Sequence, residues 1–145
     1  MRLRAGFEIA RPASVVWDEL CADDALHWCR ILQDVRWTSP RPFGVGTTRE
    51  VVLAAGTPRV RERFIRWDEG HGYSFAVYEA SVPVFRHFVE DYVLEPDGDG
   101  TLFTWKVAIE PKGAFALPFQ LLSPVLKVSF GRMASDGQRY FAKQV

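Results

Sequence analysis

Hydrophobic and polar residues alternate with a period of two through the middle of this chain. Such alternation predicts β-strands whose two faces meet different surroundings. The five segments with this pattern are Thr47 to Leu53, Val60 to Trp67, Tyr73 to Glu79, Phe85 to Leu94 and Thr101 to Glu110. A shorter opening strand is predicted from Leu3 to Ile9. The connections are short and carry Gly, Pro or Asp, so we expect hairpins and an antiparallel sheet.

Apolar residues with helical spacing occur both before and after the region of the five predicted strands. A first short helix is predicted to start at Arg11-Pro12, because proline suits the first helical position. A second short helix is predicted from Ala25 to Leu32, and a loop is expected after Trp37. Near the C-terminus, apolar residues recur every three or four positions and predict one long helix. That face consists of Phe119, Leu122, Leu126, Phe130, Met133, Gly137 and Tyr140.

This order of elements predicts one domain over residues 1–145, of the α+β class. A single sheet has two faces, and one long amphipathic helix can cover only one of them. We therefore expect a helix-grip arrangement, in which a curved antiparallel sheet wraps around the long C-terminal helix. Two short helices near the N-terminus complete the predicted fold. The space between sheet and helix would form a cavity.

The alternation also predicts which side chains face the concave side of the sheet. Aromatic residues alternate with polar ones in the last strand, so its aromatic face should be buried. The same test applied to the other strands directs Tyr73 and Glu79 inward together with Phe75. The inward residues predicted from the four strands that this test resolves are Arg49, Val51, Leu53, Val60, Glu62, Phe64, Tyr73, Phe75, Val77, Glu79, Phe103, Trp105, Val107 and Ile109.

The strand from Phe85 to Leu94 is ambiguous, because both of its faces carry apolar residues. One face has Phe88, Tyr92 and Leu94, with Arg86 and Glu90. The other has Phe85, Val89, Val93, His87 and Asp91. We favour the first face for the concave side, since large aromatic side chains gain more from burial.

Three charged residues on neighbouring strands are predicted to face this apolar cavity: Arg49, Glu62 and Glu90. A charge in such a place must be paired or neutralised. One interpretation is an internal Arg–Glu pair that fixes the sheet. The other is that Arg49 and a carboxylate orient the polar group of an otherwise apolar ligand.

Composition excludes several classes of function. Hydrophobic residues make up 48% and charged residues 25% of the chain, and the formal net charge is zero, so nucleic acid is not an expected partner. The apolar stretch from Ala114 to Phe130 is interrupted by prolines and Lys127, which argues against an integral membrane span. Two cysteines are too few for a disulfide framework. We expect a cytoplasmic protein.

No catalytic, metal or cofactor motif emerges from the polar residues. His27, His71 and His87 are scattered, and no Cys/His spacing indicates zinc. The glycine-rich run from Gly44 to Thr48 is followed by a strand and lacks the lysine of a phosphate loop. We interpret that run as a tight turn and as a lip of the cavity.

Several segments resemble the START-like superfamily, and within it the polyketide cyclase/dehydrase branch. They are FEIARPASVVWDEL, PFGVGTTRE, ERFIRWDEGHGYSF and EDYVLEPDGDGTLFTW, followed by the terminal helix. The resemblance implies a cavity that opens between the second short helix, the glycine turn and the terminal helix. It would direct Trp28, Arg49 and the face of Leu122, Leu126 and Phe130 towards a ligand. The superfamily includes lipid carriers, hormone receptors and aromatase/cyclases.

Three functions remain open from the sequence. The first is binding or transport of a small apolar or amphipathic molecule, such as a lipid, a polyketide or an aromatic metabolite. The second is a cyclase or dehydratase in which Glu62, Glu90 or Tyr92 transfers protons. The third is a protein-interaction module whose cavity is filled by its own side chains. The predicted ligand-binding residues are Trp28, Arg49, Glu62, Phe75, Phe88, Glu90, Tyr92, Phe103, Trp105, Leu122, Leu126 and Phe130.

Overall fold

A curled antiparallel sheet forms most of the computed structural model, which describes residues 1–53, 56 and 58–142. In that part of the chain seven strands pair in the order β1-β7-β6-β5-β4-β3-β2. The strands are β1 (Arg2–Ile9), β2 (Leu32–Trp37), β3 (Thr48–Leu53), β4 (Arg59–Asp68), β5 (Gly72–Ala80), β6 (Phe85–Asp97) and β7 (Gly100–Pro111). The helices are α1 (Ala13–Leu20), a single 3₁₀ turn (Gly113–Phe115) and α2 (Ala116–Ala142). The predicted helix-grip α+β fold is confirmed.

The prediction of a second short helix from Ala25 to Leu32 is wrong. Residues 21–31 instead form mainly consecutive turns, with bonds such as Cys29 N–H to the Leu26 carbonyl. Leu26 has a φ of 61°, which a right-handed helix cannot accommodate. The side chain of Asp136 in α2 anchors this turn segment, because it accepts hydrogen bonds from the Arg30 backbone N–H and guanidinium at 2.9–3.1 Å.

Strand β2 was not predicted, because a bulge interrupts its alternation. It pairs with β3 so that Trp37 lies opposite Arg49 and Val35 lies opposite Val51. The register shifts between Leu32 and Asp34. One extra residue at such a bulge moves the apolar side chains out of a period of two.

Two further bulges reverse side chains that the alternation had directed inward. The register shift between Arg61 and Glu62 brings Glu79 opposite Arg61 on the outer face, where the two form an ion pair. The shift between Phe85 and His87 puts Phe85 in the cavity wall and Arg86 beside Glu110 at the surface. The inward predictions for Glu79 and Arg86 are therefore wrong. Beyond this bulge, the face of β6 that we favoured does face inward.

Aromatic side chains dominate the core between sheet and helices. Phe103 stacks on Phe7 with ring centroids 5.0 Å apart, and Trp105 contacts Phe130 of α2 edge to face. The second half of α2 is the half that packs closely, with Phe130, Ala134, Gly137 and Phe141 buried. Helix α2 thus has one tightly packed end and one end that covers the mouth of the curled sheet.

The side chains of Trp28 and Phe7 lie close to Gly137, so a substitution at this glycine tests the packing of the C-terminal half of α2. Replacing Gly137 with alanine is expected to lower the free energy of unfolding by about 1–3 kcal/mol, since overpacking forces neighbours to shift. A Cβ there would lie 2.8 Å from Cζ3 of Trp28 and 3.4 Å from Cζ of Phe7. Urea denaturation followed by circular dichroism measures the change.

Gly131 provides the matched control in the same helix. A Cβ at this position meets nothing within 4 Å. Gly131→Ala is therefore expected to raise the free energy of unfolding by about 0.5–1 kcal/mol through helix propensity alone. Equal stabilisation by both substitutions would contradict the packing of Trp28 against α2.

Candidate functional site

A cavity of about 300 Å³ lies between the concave face of the sheet and the inner face of α2 from Phe119 to Met133. Its wall is built from strands β1 to β7, the end of the turn segment and this face of α2. Most lining residues are aliphatic or aromatic, as the alternation of the strands requires. Glu62, Glu90 and Ser129 are the polar residues among those that line it. The cavity thus has an apolar wall with a small polar region.

Six of the residues predicted from the sequence line this cavity. They are Glu62, Phe88, Glu90, Trp105, Leu126 and Phe130. They come from strands β4, β6 and β7 and from α2, so residues far apart in the chain meet here. Phe85 and Phe119 also line the wall and touch each other edge to face at 6.1 Å. The alternation had placed Phe85 on the other face of its strand, and the bulge brings it into the cavity wall, whereas Phe119 belongs to the predicted helix stripe.

The other six predicted residues lie elsewhere. Arg49, Phe75, Tyr92 and Phe103 are buried in the core and are not among the cavity-lining residues. Trp28 packs against the end of α2, with its ring stacked 6.5 Å from that of Tyr140. Leu122 is 54% exposed on the outside of the helix. A ligand in the cavity as it stands would therefore not touch these six side chains.

Arg49 and Glu62 form a buried ion pair beside the cavity. Both Nε and Nη2 of Arg49 approach Oε2 of Glu62, at 2.9 and 2.8 Å, and the Arg49 side chain is fully buried. The rings of Trp37, Phe64 and Phe75 surround the guanidinium, with centroids 4.7–5.1 Å from its carbon. Burial alone lowers the pKa of Arg49, but the charge of Glu62 outweighs it and the pKa is raised. The guanidinium keeps its charge. Burial raises the pKa of Glu62 as well, although the charge and the hydrogen bond of Arg49 oppose the rise, and the 2.8 Å contact makes Glu62 the counter-ion of Arg49.

Glu90 is the second carboxyl of the site, and among the residues that the structure describes it forms an ion pair with none. Its Oε1 accepts a hydrogen bond from Trp105 Nε1 at 2.7 Å. Burial, followed by the negative charge of Glu62, raises the pKa of Glu90 to about 8, although the Trp105 hydrogen bond opposes the rise. Glu90 therefore carries a proton at neutral pH and presents a neutral carboxylic acid to the cavity.

The first half of α2 is apolar on its outer side as well as towards the cavity. Leu117, Leu121, Val125 and Val128 are spaced three or four apart and are 56–73% exposed. We call these four residues the outer stripe. By length and composition alone, the helical segment Gly113–Ala142 is also long and apolar enough to cross a bilayer. The helix thus has two apolar sides, and experiments with apolar probes must distinguish them.

None of the three histidines and two cysteines is among the residues that line the cavity. His87 Nδ1 lies 2.9 Å from a carboxylate oxygen of Glu110 at the surface, and His27 lies beside Asp24. Within the part of the chain that the structure describes, no three His, Cys, Asp or Glu side chains are arranged to hold a metal ion. Among the described residues, the side chains that could take part in proton transfer in the cavity are therefore the two carboxyls and Ser129.

Both the sequence and the fold of this chain are similar to those of known proteins. A family model described as polyketide cyclase/dehydrase and lipid transport matches residues 2–137. Uncharacterised proteins of Mycobacterium bovis and Mycobacterium tuberculosis are 32% identical over 113 residues, which cover 78% of this chain and 67% of theirs. A crystal structure from Thermus thermophilus superposes with a TM-score of 0.77 at 17% identity, covering 99% of both chains. The major latex-like protein 151 of Panax ginseng superposes with a TM-score of 0.66 at 17% identity, covering 97% of both.

Proposed function

Since the chain belongs to the polyketide cyclase/dehydrase and lipid transport family, we propose that its cavity binds a small apolar or amphipathic molecule. The ligand classes that suit the wall are lipids, polyketides and aromatic metabolites. Binding for transport or storage is the leading role, and it takes place in the cytoplasm. Two free cysteines agree with a reducing compartment. Burial is the main reason that the pKa of Cys21 is raised to about 12, and a thiol with so high a pKa is unreactive at neutral pH.

The observation that carries this proposal is the unfilled apolar space beneath α2. A concave space of about 300 Å³ with an almost wholly apolar lining and a few polar groups is the kind of site in which proteins bind small apolar molecules. Its aromatic wall provides large contact areas for rings or acyl chains. An interaction module with a cavity filled by its own side chains fits this space less well.

Filling the cavity with a larger side chain tests the proposal. The probe is N-phenyl-1-naphthylamine, an uncharged dye whose fluorescence rises in apolar surroundings. Leu126→Trp adds a ring on the inner face of α2, where Leu126 lines the cavity. We expect the dissociation constant of the dye to rise at least about tenfold, because the added ring occupies the space of the ligand.

Leu121→Trp is the matched control, because Leu121 lies in the same helix but in the outer stripe, 73% exposed. This variant should bind the dye as the unchanged protein does. Loss of dye binding in Leu121→Trp but not in Leu126→Trp would mean that the dye binds the outer stripe, and the proposal would be wrong.

Proton-transfer catalysis on the bound molecule is the second candidate function. The protonated Glu90 carboxyl supports it, since a carboxylic acid with a pKa near 8 can donate and accept a proton near neutral pH. Cyclisation or dehydration of a linear poly-β-ketone is the corresponding reaction. Turnover that Glu90→Gln abolishes, while dye binding persists, would favour this function over simple binding.

A further inference from the structure

We propose that the cavity prefers uncharged ligands with a hydrogen-bond-accepting oxygen, such as a ketone or an alcohol, and discriminates against carboxylates of the same size. This inference rests on the proposed function and specifies the chemical class of the ligand. It concerns the polar region around Glu62 and Glu90, which the apolar character of the wall alone does not explain.

The first argument is the sign of the charges at the wall. None of the described residues that line the cavity is basic, and the two ionisable residues among them, Glu62 and Glu90, are both carboxyls. The buried guanidinium of Arg49 is not among the lining groups and is already bound to Glu62. A ligand carboxylate would lose its hydration without gaining a counter-ion, and it would lie near the negative charge of Glu62.

The second argument is the hydrogen-bonding capacity of Glu90. Trp105 Nε1 donates to its Oε1, which orients the carboxyl group and leaves the other oxygen, Oε2, for a ligand. A protonated carboxyl at this position donates one hydrogen bond, and a ketone or alcohol oxygen accepts it. In an apolar wall, a single donor of this kind orients the ligand and discriminates strongly among ligand groups.

The surroundings of Glu90 keep this donor in place at neutral pH. The groups that act on it across the packed elements are Arg49 from β3 and Glu62 from β4. Glu90 in turn acts on Tyr92 of β6 and on Cys29 of the turn segment, both of which stay uncharged because burial raises their pKa values. Burial is the largest influence on the pKa of Glu90, and the raising effect of Glu62 exceeds the lowering effect of Arg49, so Glu90 stays protonated up to about pH 8. Above that pH, Glu90 loses its proton, so it no longer donates a hydrogen bond and it adds a second negative charge to the cavity wall.

Three naphthalenes of nearly equal size test the preference by displacement of N-phenyl-1-naphthylamine at pH 6.5. They are 2-acetylnaphthalene, 2-ethylnaphthalene and 2-naphthoate, which differ in carrying a ketone, no oxygen, or a carboxylate. We expect 2-acetylnaphthalene to displace the dye at a concentration several-fold lower than 2-ethylnaphthalene. The concentration of 2-acetylnaphthalene that displaces the dye should also be at least about tenfold lower than that of 2-naphthoate, because burying an unpaired carboxylate costs free energy.

Two Glu90 variants connect the preference to this side chain. Glu90→Gln keeps an uncharged donor, so it should retain the ketone preference and remove the weakening of ketone binding between pH 7 and 9. Glu90→Leu has no donor, so it should bind the ketone and the ethyl compound alike. Equal displacement by all three compounds, or tighter binding of the carboxylate, would overturn the inference and leave the binding function intact. Failure of Leu126→Trp to affect the dye would instead refute the binding function itself.

Discussion

Replacing Arg49 with methionine is expected to lower the free energy of unfolding by about 3–5 kcal/mol, the usual cost of breaking a buried ion pair from one side. Arg49 is fully buried, and both of its contacts go to one oxygen of Glu62. Without the guanidinium, Glu62 must either keep an uncompensated charge or take up a proton. Urea denaturation at pH 7 gives the free energy, with circular dichroism as the signal.

A double variant separates the pair from the rest of the core. Arg49→Met with Glu62→Leu removes both charges and leaves similar apolar volume, so most of the lost stability should return. If the single variant does not fold, recovery of a folded protein in the double variant still tests the pairing. A double variant as unstable as Arg49→Met would contradict it. Unchanged dye binding in the double variant would establish the pair as structural, the first of the two interpretations drawn from the sequence.

Removing the Glu90 carboxyl is expected to change how stability depends on pH. The pKa of Glu90 is about 8 in the folded protein, compared with an ordinary value of 4.5. Between these pH values the folded state binds more protons than the unfolded state, so the contribution of Glu90 to stability is fully present below pH 4.5 and is lost as pH rises to about 8. Because a tenfold change in proton affinity corresponds to about 1.4 kcal/mol, this carboxyl accounts for up to about 5 kcal/mol across the window.

Glu90→Gln should therefore flatten the dependence of stability on pH between about 5 and 8, as measured by urea denaturation at several pH values. Glu79→Gln is the control, because Glu79 lies at the surface and its partner Arg61 keeps its charge throughout this pH range. That substitution should leave the slope in this window unchanged. An identical slope in the unchanged protein and in Glu90→Gln would mean that Glu90 is ionised throughout.

Much of the fold follows from the alternation of side chains, and the family membership confirms the resemblance to the polyketide cyclase/dehydrase branch of the START-like superfamily. Trp105 and Phe103 alternate with polar residues, so their burial could be predicted. Arg49 and Glu62 share the inward face of neighbouring strands, and their cross-strand register brings them together. Bulges set the limit of this reasoning. Because of a bulge, β2 could not be recognised from the alternation, and two further bulges turn the side chains of Glu79 and Arg86 outward. An inserted residue changes the period of the pattern without changing the composition.

The wall of the cavity could be predicted less completely than the fold. Tyr92 and Leu126 both face inward, yet only Leu126 lines the cavity, because the depth of a side chain depends on how the sheet curls. Leu122 shares the three-to-four spacing of the helix stripe but points outward. Apolar residues occur on both sides of α2, so spacing alone could not identify the inner side.

The position of β1 in the sheet has a consequence for synthesis of the protein on the ribosome. Arg2 of β1 pairs opposite Ala108 of β7, whereas each strand from β3 to β6 pairs with the strand that follows it in the chain. Contacts between residues so distant in sequence form late, because the intervening chain must first be made. Strand β1 therefore cannot complete its pairing until β7 has emerged. Helix α2 follows β7 in the chain, so the binding space stays open to the surrounding solution until α2 has emerged as well.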